Sequence, residues 1–404
     1  MALAEALRAA VLAQRFETTP DRQRGGAPVE AFPSIDLAVL RWAGEGRSAR
    51  AANVLFSREF PQGVVARFGP AGGGFGPVAN LRFDADVRDA AGSSIAWQPG
   101  ADWARIAFPP LFVPPGLPPD APRFVAPYPA SLLKLMVAVG LGLAVDAGRL
   151  GWAEVMPELT PMITVSDNDA TDRAVALLHR AGLVEALNRT LQQAWGLPTP
   201  QLHRTTPQGG WRNGDGAGVG HIHMTAWDTV RLLWIVDPQA PPAPWLATGT
   251  PTLSASTKAR LQAALAAQQL DEILSSGRLR GLPGWQPGQP DAPGFAHKTG
   301  TTENYASDAG IVATPGGLRY AVAVLSNLGR RYRPRFVGAD DERAATTWKL
   351  PALGAAVHAL METPRLIADA LAAEPQIEKI ALELSHARDV LYLGRGVHYP
   401  IALE

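Results

Sequence analysis

The hydrophobic pattern divides the chain into a short alternating region, a long helical region and a second alternating region. Residues 78–89 alternate apolar and polar positions, 90–93 make a turn, and alternation resumes over 94–97, which predicts a β-hairpin. From 131 to about 285 the apolar spacing becomes that of helices, over 131–147, 166–180, 182–195, 225–235 and 254–275. Beyond 294 the segments 295–302, 306–313 and 318–326 read as strands, the last two joined by a Pro-Gly-Gly turn, and 340–362 reads as a helix. Before all of these, 1–17 reads as an amphipathic helix and 18–30 as a linker. The glycine-rich stretch 69–77 lacks the Gly-Lys-Ser/Thr of a phosphate cradle and reads as a mobile surface loop. The proline-rich stretch 98–127 reads as a stiff connection that lines or covers a groove, and 363–404 as helical with a strand candidate at 390–393.

The helix starting at 131 carries the longest apolar run, 135–145, too short to span a bilayer and therefore a buried helix. It opens with Ser131 and Lys134, three residues apart and so on one helix face, where an amine reaches a hydroxyl. A serine alcohol becomes a nucleophile when a base takes its proton, and a desolvated, neutral lysine does this. By itself the spacing fits an N-cap serine beside a surface lysine better than a catalytic pair.

Composition narrows the field without deciding it. With 404 residues, 47% hydrophobic and 18% charged, the chain supports two or three lobes around large cores. Its 37 basic and 37 acidic residues balance, so neither nucleic acid nor an anionic membrane is an expected partner. The absence of cysteine excludes disulfides and thiolate chemistry. Charges at Glu5, Arg8 and Arg15 break any signal-like apolar region, so the expected location is exported if a signal has been removed and cytoplasmic otherwise; the closing Leu403-Glu404 would fit a cloning remnant.

Two further tripeptides join Ser131-x-x-Lys134: Ser166-Asp-Asn168 at a helix start, and Lys298-Thr-Gly300 on a strand. In this order the three form the signature of class A β-lactamases and penicillin-binding proteins, which the chain resembles over about residues 78–360, including 145–150, 163–170, 296–301 and 308–311. The resemblance implies an α/β (α+β) two-lobe fold of the β-lactamase/DD-peptidase type, an antiparallel sheet flanked by helices plus an all-helical lobe. The corresponding division is 76–130 with 290–362 as the α/β lobe and 131–289 as the helical lobe, leaving 1–75 and 363–404 as extensions.

On that resemblance Ser131 is the nucleophile that forms an acyl-enzyme and Lys134 its base, with the backbone N–H groups of Ser131 and Thr301 as oxyanion hole. Ser166 relays a proton between Lys134 or Lys298 and the leaving nitrogen. Asn168 binds a substrate amide and steadies Lys134, and Lys298, Thr299 and Gly300 line the carboxylate side. Two lysines near one serine are also expected to depress each other's pKa. Arg278 is a secondary carboxylate ligand or a solvated helix-end arginine.

Departures from the pattern bear on the reaction. The glutamate that activates the deacylating water in class A enzymes aligns with Thr199, and its partner asparagine with His203. Threonine is no base at neutral pH. Glu185 lies inside a helix and Asp215 is the only carboxylate between 196 and 220. The Ser131-to-Ser166 spacing is shorter than in class A enzymes, which removes a wall of the cleft. The expected function is a serine hydrolase or acyltransferase of D,D-peptidase character, acting on a small-molecule or peptide substrate, β-lactam or peptidoglycan-like, that bears a carboxylate. Alternatives are a β-lactamase with His203 or Asp215 as altered base, an esterase or cyclase, and a non-catalytic binding module. No cofactor and no metal are expected, the histidines at 203, 221 and 223 lacking a carboxylate to complete a sphere. Asp84 and Asp86 read as solvated strand positions, and the chain as a monomer without a membrane span.

Overall fold

A computed structural model describes residues 2–42, 49–270, 273–275, 294–314, 316–333 and 342–362. In chain order these form α1 (Ala2–Ala13), β1 (Ile35–Arg41), β2 (Arg50–Phe56), β3 (Val64–Val65), β4 (Arg82–Ala85), β5 (Pro110–Phe112) and β6 (Arg123–Ala126). The helices α2 (Lys134–Asp146), α3 (Trp152–Thr164), α4 (Asn168–Arg180) and α5 (Val184–Arg189) follow, then β7 (Gln201–Leu202), β8 (Ile222–His223), α6 (Ala226–Val236) and α7 (Ala255–Ala266). The chain returns to sheet with β9 (Gly294–Thr301), β10 (Ala306–Ala313) and β11 (Arg319–Ser326), and ends its described part with α8 (Leu350–Glu362).

The main sheet has six strands in the order β3-β2-β1-β11-β10-β9, all neighbours antiparallel. Its central strands are apolar on both faces because both are covered. Leu37 and Val39 join a core with Leu3, Leu7 and Val11 of α1 and Leu353 and Val357 of α8. The alternate positions Ala38 and Leu40 join the helical lobe's core with Ala309, Ala321 and Ala323, whose small side chains let helices approach closely. This corrects the expected boundary at 75: residues 35–56 supply β1 and β2, inside the sheet, and α1 covers one of its faces.

The expected hairpin over 78–97 also needs correction. β4 pairs with β5 and, in parallel, with β6 in a separate three-stranded sheet, and only a bridge between Arg88 and Ser94 joins the two arms of the sequence pattern. Asp84 and Asp86 are buried rather than solvated, Asp84 paired with Arg82 at 3.0 Å and Asp86 accepting the Tyr305 hydroxyl at 2.7 Å. The 69–77 stretch is a closed loop, with Gly69 N–H donating to Pro77 O at 2.8 Å. A side chain on Gly72 would strike the backbone of Pro244 and Trp245.

The helical lobe surrounds α2, which is apolar all round and buried along most of its length, as a central helix must be. Gly140 lets α2 meet Leu178 and Leu187, and Gly142 lets it meet Thr257; a Cβ there would lie 2.9 Å and 2.6 Å from those side chains. Helix α3 is absent from the periodicity reading because Pro157 and Pro161 lie inside it. Burial of Val155, Leu159, Met162 and Ile163 sustains it despite the lost donors. The expected helices at 225–235 and 254–275 are α6 and α7, the latter ending at Ala266. The strand candidate at 390–393 and the segment 363–404 lie outside the described residues. Among those residues no helix is long and apolar enough to cross a membrane.

One buried carboxylate ties the sheet to the helical lobe. Asp36 of β1 accepts Asn53 Nδ2 and the first N–H of α6, from Ala226, each at 2.7 Å. Burial, reinforced by the nearby Asp228, raises its pKa from 3.8 to about 7. The folded chain therefore holds this proton more tightly than the unfolded chain, so the contribution is present at low pH and is lost as pH rises through about 7. Urea midpoints measured at about pH 5 and about pH 8 should show a drop in wild type that Asp36→Asn reduces, at some cost in absolute stability.

Candidate active site

Ser131 sits in a single 3-10 turn, Ala130–Leu133, that leads into α2. Ala130 before it has φ 51°, a left-handed conformation that a non-glycine residue keeps only when its surroundings impose it. The imposing element is β9. At Gly300 a Cβ would lie 2.5 Å from Pro129 O, 2.7 Å from Leu132 N and 2.5 Å from Ser307 Oγ, so only glycine lets the strand lie against the turn. Ser307 Oγ donates to Pro129 O from the other side. Among the described residues β9 is the terminal strand of the sheet.

The second tripeptide supplies the link between the lysines. Lys134 Nζ donates to Ser166 O at 2.6 Å, Asn168 Oδ1 at 2.8 Å and Ser166 Oγ at 3.1 Å. Lys298 Nζ reaches the same Ser166 Oγ at 3.0 Å and Thr299 O at 2.8 Å. Ser166 has φ 59°, and Asp167 behind it caps α4 by accepting Ala170 N–H at 2.7 Å, which holds the turn. Both lysines are fully buried, whereas Ser131, Ser166 and Thr301 are half-buried and Asn168 is exposed. The hydroxyls thus line an accessible floor with the two amines beneath it. The Ser131 hydroxyl makes no hydrogen bond among the described residues.

Burial dominates the titration of both amines. Lys134 is pushed from 10.5 to about 7 by loss of water, with Arg212 adding to the depression and Asp167 and Asp172 opposing it. Lys298 is pushed well below its ordinary value by burial first and by Lys134 second, with Asp308 opposing. The depression expected from sequence acts on Lys298 alone, and there it is secondary to desolvation. Near neutral pH a substantial fraction of Lys134 is an amine with a lone pair.

The residues aligned with the water-activating group are held by contacts of their own. Thr199 is buried, its N–H and hydroxyl both directed at Asp228 Oδ2 at 2.9 and 2.7 Å, with Thr225 Oγ1 at 2.8 Å. It anchors the start of α6 and has no free group to offer. His203 lies 3.4 Å from Asn188 Nδ2 through Nδ1. Asp215 accepts Arg212 N–H at 3.0 Å inside its own turn. Thr299 is buried opposite Asp308 in the β9–β10 register. Arg278 lies outside the described residues. His223 is buried, and burial lowers its pKa to about 3; among the described residues no group of His, Asp or Glu is arranged to hold a metal.

Sequence reasoning missed Trp211. The loop between β7 and β8 brings its ring centroid to 5.6 Å from Lys134 Nζ, with Arg212 Cζ 5.4 Å from the same ring. Two glycines precede it. A Cβ on Gly209, φ 98°, would lie 2.0 Å from Asp172 O, and one on Gly210 would strike Thr206 and Asp215. The Gly-Gly-Trp run was the available signal, because paired glycines before an aromatic mark a backbone pressed against a neighbour.

Residues 158–347 match the family described as Beta-lactamase enzyme family. Among solved structures, PBP-A is 22% identical, covering 58% of this chain and 82% of its own, with a TM-score of 0.40. The β-lactamase from Sphaerobacter thermophilus is 19% identical over 57% of this chain and 83% of its own, also at 0.40. The sheet order and the two lobes give the chain a β-lactamase-like fold. A 48-residue stretch is 62% identical to glutamine–fructose-6-phosphate aminotransferase of Bradyrhizobium diazoefficiens, and 54% to that of Caulobacter vibrioides. It amounts to 12% of this chain, and the chain spans only 8% of those relatives' length.

The contact at Gly300 yields a direct test. Gly300→Ala forces β9 from the Ser131 turn and should lower stability by about 1–3 kcal/mol in denaturant unfolding. A variant as stable as wild type would mean that the strand does not hold the turn.

Proposed function

We propose that this chain, β-lactamase-like in its fold and over residues 158–347, is a serine hydrolase or acyltransferase that forms an acyl-enzyme at Ser131, with D,D-peptidase character toward amide or peptide substrates bearing a carboxylate. The observation that carries the reading is the Ser166 hydroxyl shared by two buried lysines, one of which starts the helix one turn after Ser131.

In this reading neutral Lys134 takes the Ser131 proton as Oγ adds to the substrate carbonyl. The N–H groups of Ser131 and Thr301 receive the developing oxyanion. Ser166, in contact with both amines, passes a proton to the departing nitrogen. Asn168, exposed at the rim, holds the substrate amide, while Lys298 and Thr299 favour a carboxylate nearby. A β-lactamase with His203 or Asp215 as deacylating base has less support, since His203 Nδ1 meets Asn188 of α5 and Asp215 is engaged within its own turn.

Incubation with a fluorescent penicillin should give a stable adduct by mass that is absent in Ser131→Ala. Lys134→Ala should slow adduct formation by roughly 10²–10⁴-fold. The neutral fraction of Lys134 grows with pH, so the wild-type acylation rate should rise through a midpoint at about 7. Absence of any adduct overturns the reading, and rapid multiple turnover favours the β-lactamase.

A further inference from the structure

The loop that in this architecture faces the catalytic lysine offers it an indole. Trp211 is 6% exposed, and its Nε1–H is buried without a hydrogen-bond partner among the described residues. A buried donor left unspent is uncommon, because its desolvation is uncompensated until an acceptor arrives. The ring that carries it lies against Lys134, the same amine that meets Ser166 and Asn168. Its placement is built rather than incidental. Gly209 and Gly210 admit the close approach to Asp172 and Asp215, Arg212 Nη2 donates to Asp172 at 3.3 Å, and His179 holds Thr205 at 2.9 Å.

We propose that Trp211 is a positioning and substrate-contact residue, its ring sealing the Lys134 amine from solvent and its indole N–H donating to a carbonyl or carboxylate oxygen of the substrate held at Ser131. This rests on the acyl-enzyme reading above and adds the class of group recognised, an acceptor oxygen beside the scissile carbonyl.

The charged groups around Lys134 are Asp167 and Asp172 from α4, Arg212 beside Trp211, and Lys298 from β9 through Ser166. Arg212 disfavours its charge and the two carboxylates favour it. Loss of water is the largest influence of all, and the ring contributes directly to that loss. Removing the ring should therefore return Lys134 toward an ordinary lysine, whereas removing only the N–H should not.

Trp211→Phe and Trp211→Ala separate the two roles. Two measurements are made on the full chain: the second-order rate of acylation by a fluorescent penicillin across pH, and the titration of Lys134 by competitive acetylation with mass detection, which needs no substrate. Trp211→Phe should lower the acylation rate about tenfold, the worth of one hydrogen bond, with the pH midpoint unchanged. Trp211→Ala should move both the pH midpoint and the labelling midpoint of Lys134 upward. An unchanged rate in Trp211→Phe overturns the donor role, and an unchanged labelling midpoint in Trp211→Ala overturns the seal. If Trp211→Ala does not fold, Trp211→Leu, which also removes the ring but keeps apolar volume, takes its place with the same expected and overturning results. A wild-type chain that forms no penicillin adduct fails the functional reading, while the labelling result still judges the seal.

Discussion

Two fully buried amines meet one hydroxyl in this protein, and much of the arrangement around Ser131 depends on that encounter. Lys134 and Lys298 both lie within hydrogen-bond distance of Ser166 Oγ, with no carboxylate hydrogen-bonded to either among the described residues. Burial without a paired anion disfavours the charged form, so the site stores basicity instead of charge. Exposure would restore an ordinary ammonium at Lys134. The strained turns at Ala130 and Ser166 are held against this cluster by the packing of β9 and the cap on α4.

The encounter joins the two lobes. Lys134 and Ser166 belong to the helical lobe, and Lys298 to the last strand of the sheet, so relative movement of the lobes would separate the amines. Asp36 provides a second tie, from β1 to the first N–H of α6. Helix α1 and strands β1 and β2 complete the sheet that holds β9 in place, which gives the N-terminal residues a part in positioning the site.

The surroundings of Lys134 also differ from an arrangement built to activate water. Thr199, Asp215 and His203 are each committed to local contacts, and the loop presents Trp211 to the amine. An indole beside that amine has no basic lone pair with which to take a proton from water.

The local chain alone determined the three tripeptides, the helix after Ser131 and the strands 294–301, 306–313 and 319–326, because short-range periodicity and motif spacing are written in consecutive residues. Tertiary structure decided what depends on partners distant in sequence. β1 and β2 enter the sheet by pairing with β11 and with each other, helix α3 persists through two prolines because its face is buried, and Asp84 and Asp86 are covered by packing. Thr199 aligned with a catalytic position, yet its hydrogen bonds to Asp228 place it at the foot of α6. Trp211 came to Lys134 through a loop whose path was set by contacts of Gly209 and Arg212 with α4. Motif spacing singles out the candidate groups; desolvation, which lowers the Lys134 pKa, exists only once the fold has closed around it.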